Sequence, residues 1–184
     1  MAKLIIGITG LMASGKGTAA KYIVDNYSAS SHRFSTMLRD TLDRYYLPHT
    51  RENMVTVSEI MRTSFGQDIL AKVMAEDAKN DEKEIVVIEG IRRMADITHL
   101  SKLNNFVLVQ IIAEPKLRHS RLSIRGENAD DNTKTYDQFI QDHNLPTEKT
   151  IPEVMNQAKE TLDNNLDMKE LSVQIDNLIK KLIL

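Results

Sequence analysis

An α/β fold with a parallel sheet is what this sequence predicts, on three observations. Nearly continuous apolar runs recur at residues 3–9, 85–88 and 106–112, the pattern of short strands buried on both faces. Segments with helical apolar spacing lie between them, and that alternation favours parallel strands crossed by helices on both faces. A glycine-rich turn at 10–18 links the first run to the first helix.

The elements follow in order. KLIIGIT is the first strand, and Ala20, Ile23, Val24 and Tyr27 share a face of the helix at 19–27. Residues 32–34 suggest a short second strand. A helix spans 36–46 and closes before Pro48; another spans 56–65 and stops at Gly66. Asp68 is placed to cap a helix carrying Ile69, Leu70, Val73 and Met74. The 85–88 strand ends in Glu89-Gly90, a helix covers 96–103, and the 106–112 strand follows. Pro115 sits in the first turn of the next helix, where its missing N–H costs nothing, and Leu117 and Leu122 mark its apolar side. Residues 126–134 read as a polar loop, 135–143 as a short helix, and Pro152 opens another. A weak strand at 160–163 precedes the last helix, 168–183, whose stripe is Leu171, Ile175, Leu178, Ile179 and Leu182. The expected sheet has four or five strands.

Composition narrows the function classes. The 184 residues suit one domain, 1–184, with a core that needs no staples. Cysteine is absent, which excludes disulfide scaffolds, thiolate zinc sites and cysteine nucleophiles. Tryptophan is also absent, and 24 Lys plus Arg against 26 Asp plus Glu leave a net charge of −2, which argues against a nucleic-acid partner. The opening MAKLIIGITG lacks the plan of a signal peptide, and no apolar stretch is long enough to span a bilayer. The expectation is a soluble cytoplasmic protein with no membrane partner.

Gly10-Leu11-Met12-Ala13-Ser14-Gly15-Lys16 satisfies G-x-x-x-x-G-K between a predicted strand and a helix, the context the motif requires. Such a loop turns its backbone N–H groups onto phosphate oxygens, and the helix behind it points its N-terminus at the same charge. Lys16 carries an ammonium to the β- and γ-phosphates. Gly17 follows where many such loops place a Ser or Thr on magnesium, and Thr18 comes one place later. Mg2+ would then be held chiefly by phosphates and water, with Thr18 or Glu89 reaching it through water.

These motifs resemble the nucleoside monophosphate kinase group of P-loop kinases. Gly15-Lys16-Gly17-Thr18 is similar to the GKGT of adenylate kinases. Ser35-Thr36-Met37-Leu38-Arg39 looks like their D-x-L-R element, and Glu89-Gly90-Ile91-Arg92 like their DG-x-PR element, with Glu for Asp and no proline. Across nearly the whole chain the resemblance is closer to an archaeal family of small adenylate-kinase-related, dephospho-CoA-kinase-like proteins. It implies a P-loop NTPase fold, an acceptor-side helical region at 35–80 and a short lid at 118–134. It also implies that Ser35 and Arg39 hold the acceptor phosphate.

Two further groups have chemistry of their own. Glu89 closes a buried strand at the carboxyl edge of the sheet, where ligand crevices form, and can orient metal-bound water or the acceptor. Arg92, three residues on, can reach a phosphate over the same crevice. Arg118, Arg121 and Arg125 recur at turn spacing before the polar 126–131 segment, an arrangement that resembles the lid of these kinases. A closing arginine face suits phosphoryl transfer, which is mostly positioning and charge stabilisation. The five histidines lack metal-ligand or triad spacing. No guanine-reading NKxD follows the 106–112 strand, where Ala113-Glu114-Pro115 stands instead.

The expected function is ATP-dependent, Mg2+-assisted phosphoryl transfer to a small phosphorylated acceptor, first a nucleoside or deoxynucleoside monophosphate. Dephospho-CoA is the second acceptor, and an ATP-binding switch or NTPase without a small acceptor is the alternative class.

Overall fold

The computed structural model of the protein describes residues 2–125 and 133–183. Five parallel strands, β1 (Leu4–Thr9), β2 (Ala29–Arg33), β3 (Ile85–Glu89), β4 (Phe106–Ile112) and β5 (Glu160–Asp163), form one sheet in the order β2-β3-β1-β4-β5. The α/β fold with a parallel sheet is as expected, at the upper strand count. After β1 the chain builds one side of the sheet, β2 and β3, and then crosses to build the other, β4 and β5. That reversal puts the ligand-binding crevice at the carboxyl end of β1.

Helices cover both faces. Leu4, Ile6 and Ile8 of β1, with Val109 and Ile111 of β4, face a core closed by α1 (Lys16–Asn26) and α10 (Met168–Ile183). Ile5, Val86, Ile88 and Leu108 face the opposite core, with α4 (Ile69–Asn80) and α5 (Met94–Ile97) against it. Both cores are clusters of buried apolar side chains, so period-two alternation along β1 serves two interiors at once. Leu171, Ile175, Leu178 and Ile179 are the buried stripe of α10.

Several boundaries differ from the expectations. β2 begins at Ala29, not residue 32, and its polar residues earn strand geometry by pairing with β3 rather than by burial. α2 (Phe34–Arg44) begins two residues early. α3 (Arg51–Phe65) begins five residues early because Thr50 Oγ1 accepts from Asn53 N at 3.1 Å and caps a polar first turn. The expected 96–103 helix is split into α5 and a 3-10 turn at Leu100–Lys102. Asp68 makes no side-chain cap on α4; its carboxylate takes His99 Nε2 at 2.8 Å instead, and that bond pulls the Asp68 carboxyl below its usual range. α6 (Pro115–Arg125), α7 (Tyr136–Asp142) and α9 (Ile151–Met155) meet expectation, whereas α8 (Pro146–Lys149) had no apolar periodicity to betray it.

Candidate active site

β1 delivers the chain to residues 10–18 at the switch point. Gly10 has φ +152°, and a Cβ there would stand 2.5 Å from the Ile111 carbonyl oxygen. Gly15 has φ +104°, and its Cβ would meet Asn164 Nδ2 at 2.1 Å. Glycine is therefore required at both ends of the turn, for backbone angle and for space. Between them Ala13 also takes a positive φ of 58°, and Ser14 N donates to Leu11 O at 3.2 Å. Lys16 Nζ donates to the carbonyls of Gly10 and Leu11 at 2.7 and 2.9 Å, so the ammonium lies within the loop's curve.

α1 starts at Lys16 with no acidic residue in its first turn. Its leading N–H groups have no intrahelical acceptor, and its dipole is positive at this end. A cleft of about 820 Å3 opens above it. Lys16, Lys21, Arg33 and Arg121 line the cleft, together with Gly15, Gly17, Thr18 and the apolar Ile124 and Met168. Among the described residues Asp25 is the one acid on that lining, and Lys21 Nζ already holds it at 2.8 Å. Such a cleft attracts a polyanion and supplies an apolar edge for a planar base.

Glu89 ends β3 beside this cleft. It is 6% exposed, and its Oε1 accepts from Ser31 Oγ at 2.8 Å and from Arg33 Nε at 2.9 Å. Among the described residues no group of three or more His, Asp or Glu could enclose a metal. The donor set near Gly17, one carboxylate and the Thr18 hydroxyl, suits an ion that keeps most of its waters and takes the rest of its ligands from phosphate, as Mg2+ does.

The arginines divide. Arg121 lines the cleft; its Nη2 makes long contacts of 3.4 Å with Asn164 Oδ1 and the Leu166 carbonyl, its Nη1 is buried with no hydrogen-bond partner among the described residues, and burial lowers its pKa. Arg118 is turned inward at 3% exposure. It donates to the carbonyls of Ala113 and Met12 at 3.0 and 3.1 Å, contacts His143 Nε2 at 2.9 Å and lies over the Phe139 ring. Burial lowers its pKa too. It braces the loop through the Met12 carbonyl. Arg92 Nη1 donates to Glu148 Oε1 at 3.0 Å; Glu148 is 4% exposed with its Oε2 unpartnered. Arg39 Nη1 donates to Ser35 Oγ at 2.9 Å, one turn back on α2. The Arg125 side chain and the 126–132 part of the expected lid lie outside the described residues.

Two residues of this site carried no sequence signal that had been weighed. Arg33 is in register with Glu89 across β2 and β3, which only strand pairing reveals. Asn164, 6% exposed, follows β5; its Nδ2 donates to the Ser14 carbonyl at 2.8 Å. Its place just past a strand's carboxyl end was the one available hint.

Comparison with known proteins agrees with this geometry. The AAA domain family model matches residues 9–137. A UPF0200 protein of Sulfurisphaera tokodaii is 28% identical over 97% of both chains. UPF0200 protein MJ1399 of Methanocaldococcus jannaschii is 27% identical over 98% of this chain and 91% of its own. In fold, the chain is similar to shikimate kinase from Bacteroides thetaiotaomicron, with TM-score 0.66, 16% identity and coverage of 98% of this chain and 99% of that one. It is also similar to TT1252 from Thermus thermophilus, with TM-score 0.61 and 15% identity over 98% of each chain.

Proposed function

The chain belongs to the AAA domain family, and from that premise we propose that it transfers the γ-phosphoryl group of ATP to a small phosphorylated acceptor, a nucleoside or deoxynucleoside monophosphate. The observation that carries the reading is the 10–18 loop, wrapped around Lys16 at the N-terminus of α1 under a cation-lined cleft. The kinase-like fold of the structural neighbour from Bacteroides thetaiotaomicron agrees with it.

In this reading the loop amides and Lys16 bind the β- and γ-phosphates. The bond from the γ-phosphorus to the β–γ bridging oxygen breaks, an acceptor phosphate oxygen forms the new bond, and ADP leaves. Arg121 stabilises the charge that spreads over the moving group, a task assigned to Arg125 as well. Arg118 keeps the loop crest at Met12 in place. Ser35 and Arg39 hold the acceptor's phosphate; a guanidinium has five N–H donors in a fixed fork, and Ser35 uses one of Arg39's. Arg92, steadied by Glu148, is the second acceptor cation. Mg2+, when bound, would shield the phosphates, with Thr18 and Glu89 holding its water. An anionic phosphate oxygen needs no general base, which agrees with a cleft whose lining has no histidine among its described residues. No helix of the described residues is long and apolar enough to cross a membrane, and in this reading dependence on ATP suits a cytoplasmic reaction.

A panel of nucleoside and deoxynucleoside monophosphates with dephospho-CoA, each with Mg-ATP, tests this reading by ADP release. One monophosphate should accelerate release. Arg39→Ala should keep ATP affinity but raise the acceptor KM and slow transfer by about tenfold or more, the scale of a charge-assisted phosphate contact. Arg39→Lys should recover part. Equal acceptor KM and rate in wild type and Arg39→Ala would remove Arg39 from the acceptor site. ADP release indifferent to every acceptor would leave an ATP-driven switch in place of a kinase.

A further inference from the structure

Beside Gly17, two charged side chains border the space that a larger residue would use. A Cβ on Gly17 would stand 3.7 Å from Arg33 Nη2 and 3.7 Å from Glu89 Oε2. Parallel pairing of β2 with β3 sets Arg33 against Glu89. Arg33 Nε then bonds Glu89 Oε1 at 2.9 Å. The pair is lopsided in exposure, with 8% for the Glu89 side chain and 54% for that of Arg33. The carboxylate is closed in, and the guanidinium stands half in the cleft that Lys16, Thr18 and Arg121 also line.

We propose that Arg33 is a catalytic residue of the nucleotide site, binding the terminal phosphate of the nucleoside triphosphate through its Nη donors. The inference rests on the donor half of the proposed function and needs no acceptor. Neutralising Glu89 explains the Nε bond alone. It does not explain why the other end of the fork lies toward Gly17, at the start of α1, where the loop turns its amides outward. An arginine anchored through Nε keeps its two Nη groups in one plane, which is the geometry that grips two oxygens of one phosphate. The charge balance points the same way. A triphosphate brings several negative charges, while Lys16 is the single basic side chain of the 10–18 loop. Arg33 from β2 and Arg121 from α6 stand on the cleft lining as well, and the terminal phosphate, with its three non-bridging oxygens, has acceptors to spare beyond those that Lys16 and the loop amides take. Partnered by Arg33, Glu89 presents little net negative charge to a phosphate that a lone carboxylate would repel.

Calorimetric titration with ATP and with ADP, both with Mg2+, tests this on wild type, Arg33→Ala, Arg33→Lys and Arg33→Gln. In Arg33→Ala the affinity for ATP should fall about tenfold or more and that for ADP less than about twofold, because the lost charge-assisted bonds go to one phosphate. Arg33→Lys should restore only part, since one ammonium cannot hold Glu89 and the phosphate in the same geometry. Arg33→Gln keeps a neutral donor for Glu89 and should behave like Arg33→Ala, which separates ligand contact from misfolding. Equal losses for ATP and ADP would reduce Arg33 to a prop for Glu89 and overturn the proposal; so would unchanged affinities in folded variants. A wild type that binds ATP but phosphorylates no acceptor would end the phosphotransfer reading and leave the ATP-over-ADP comparison to decide Arg33. A wild type that binds neither nucleotide would overturn both.

Discussion

Asn164 shows how much one neutral side chain can hold. Its amide donates to the Ser14 carbonyl, fills the space beside Gly15 and accepts a long contact from Arg121. The orientation is fixed by its partners: the NH2 end must meet the carbonyl, and the oxygen must meet the guanidinium. In Asn164→Asp an oxygen replaces the donor, facing the Ser14 oxygen, and a negative charge enters beneath a phosphate site. ATP affinity should fall about tenfold and the fold should lose about 1–3 kcal/mol, the cost of a buried group left unpaired. Calorimetry and urea unfolding check both, and wild-type affinity in the variant would return Asn164 to simple packing. Residue-scale legibility was uneven for this reason. The loop glycines and Lys16 were readable because their spacing is local in sequence. Asn164 and Arg33 act across strands, so nothing near them in the chain announces their partners.

At the scale of elements, α1 and α10 are fastened at their polar edges as well as through their core. Tyr22 and Tyr27 hydroxyls both donate to Asp176, at 2.9 and 2.7 Å to its Oδ1. Burial, helped by the bond to Asp176, pushes the Tyr27 hydroxyl up to about 12 from an ordinary 10.0. Below pH 10 the hydroxyl keeps its proton in folded and unfolded chains alike, and its stabilisation is fully present. As pH rises from 10 toward 12 the unfolded chain releases the proton first, so stability falls across that window. Tyr27→Phe should therefore flatten part of the alkaline decline seen in urea midpoints. At pH 7 it should cost about 1 kcal/mol, the low end for a bond to a charged acceptor that water still reaches. An unchanged alkaline slope would show that the Tyr27 hydroxyl is not raised in the folded chain. The same helix pair explains which elements were legible. α10 declares itself by Leu171, Ile175, Leu178 and Ile179 at helical spacing. β2 is ASSHR, an edge strand whose serines and histidine turn to Asp81 and Glu89, so its strand character comes from its neighbour and not from its own residues.

For the whole molecule, the sheet order gathers the carboxyl ends of β1, β3 and β5 around one crevice. The alternation of apolar runs and helices predicted the parallel sheet; it could not predict which strands would be neighbours, and therefore which charged residues would meet. A ligand that binds only the folded form stabilises it by mass action. ATP at about a hundred times its dissociation constant should add about 2.7 kcal/mol and raise the melting temperature accordingly. Lys16→Ala should melt near the wild type without nucleotide and gain much less when ATP is added. A full ATP-induced shift in that variant would show that the loop does not bind the phosphates through Lys16.

The Asn164 bond to the Ser14 carbonyl also sets an order of events during synthesis. The loop leaves the ribosome well before this brace, which lies 150 positions later. The glycine turn is translated before it, and beside Gly15 it lacks the Asn164 wall until β5 is out and paired with β4. A nascent chain shorter than that carries the motif in a form free to bend. Full nucleotide capture should thus wait for β5, and a product terminated before it should sequester little ATP even though every residue of its phosphate loop is present.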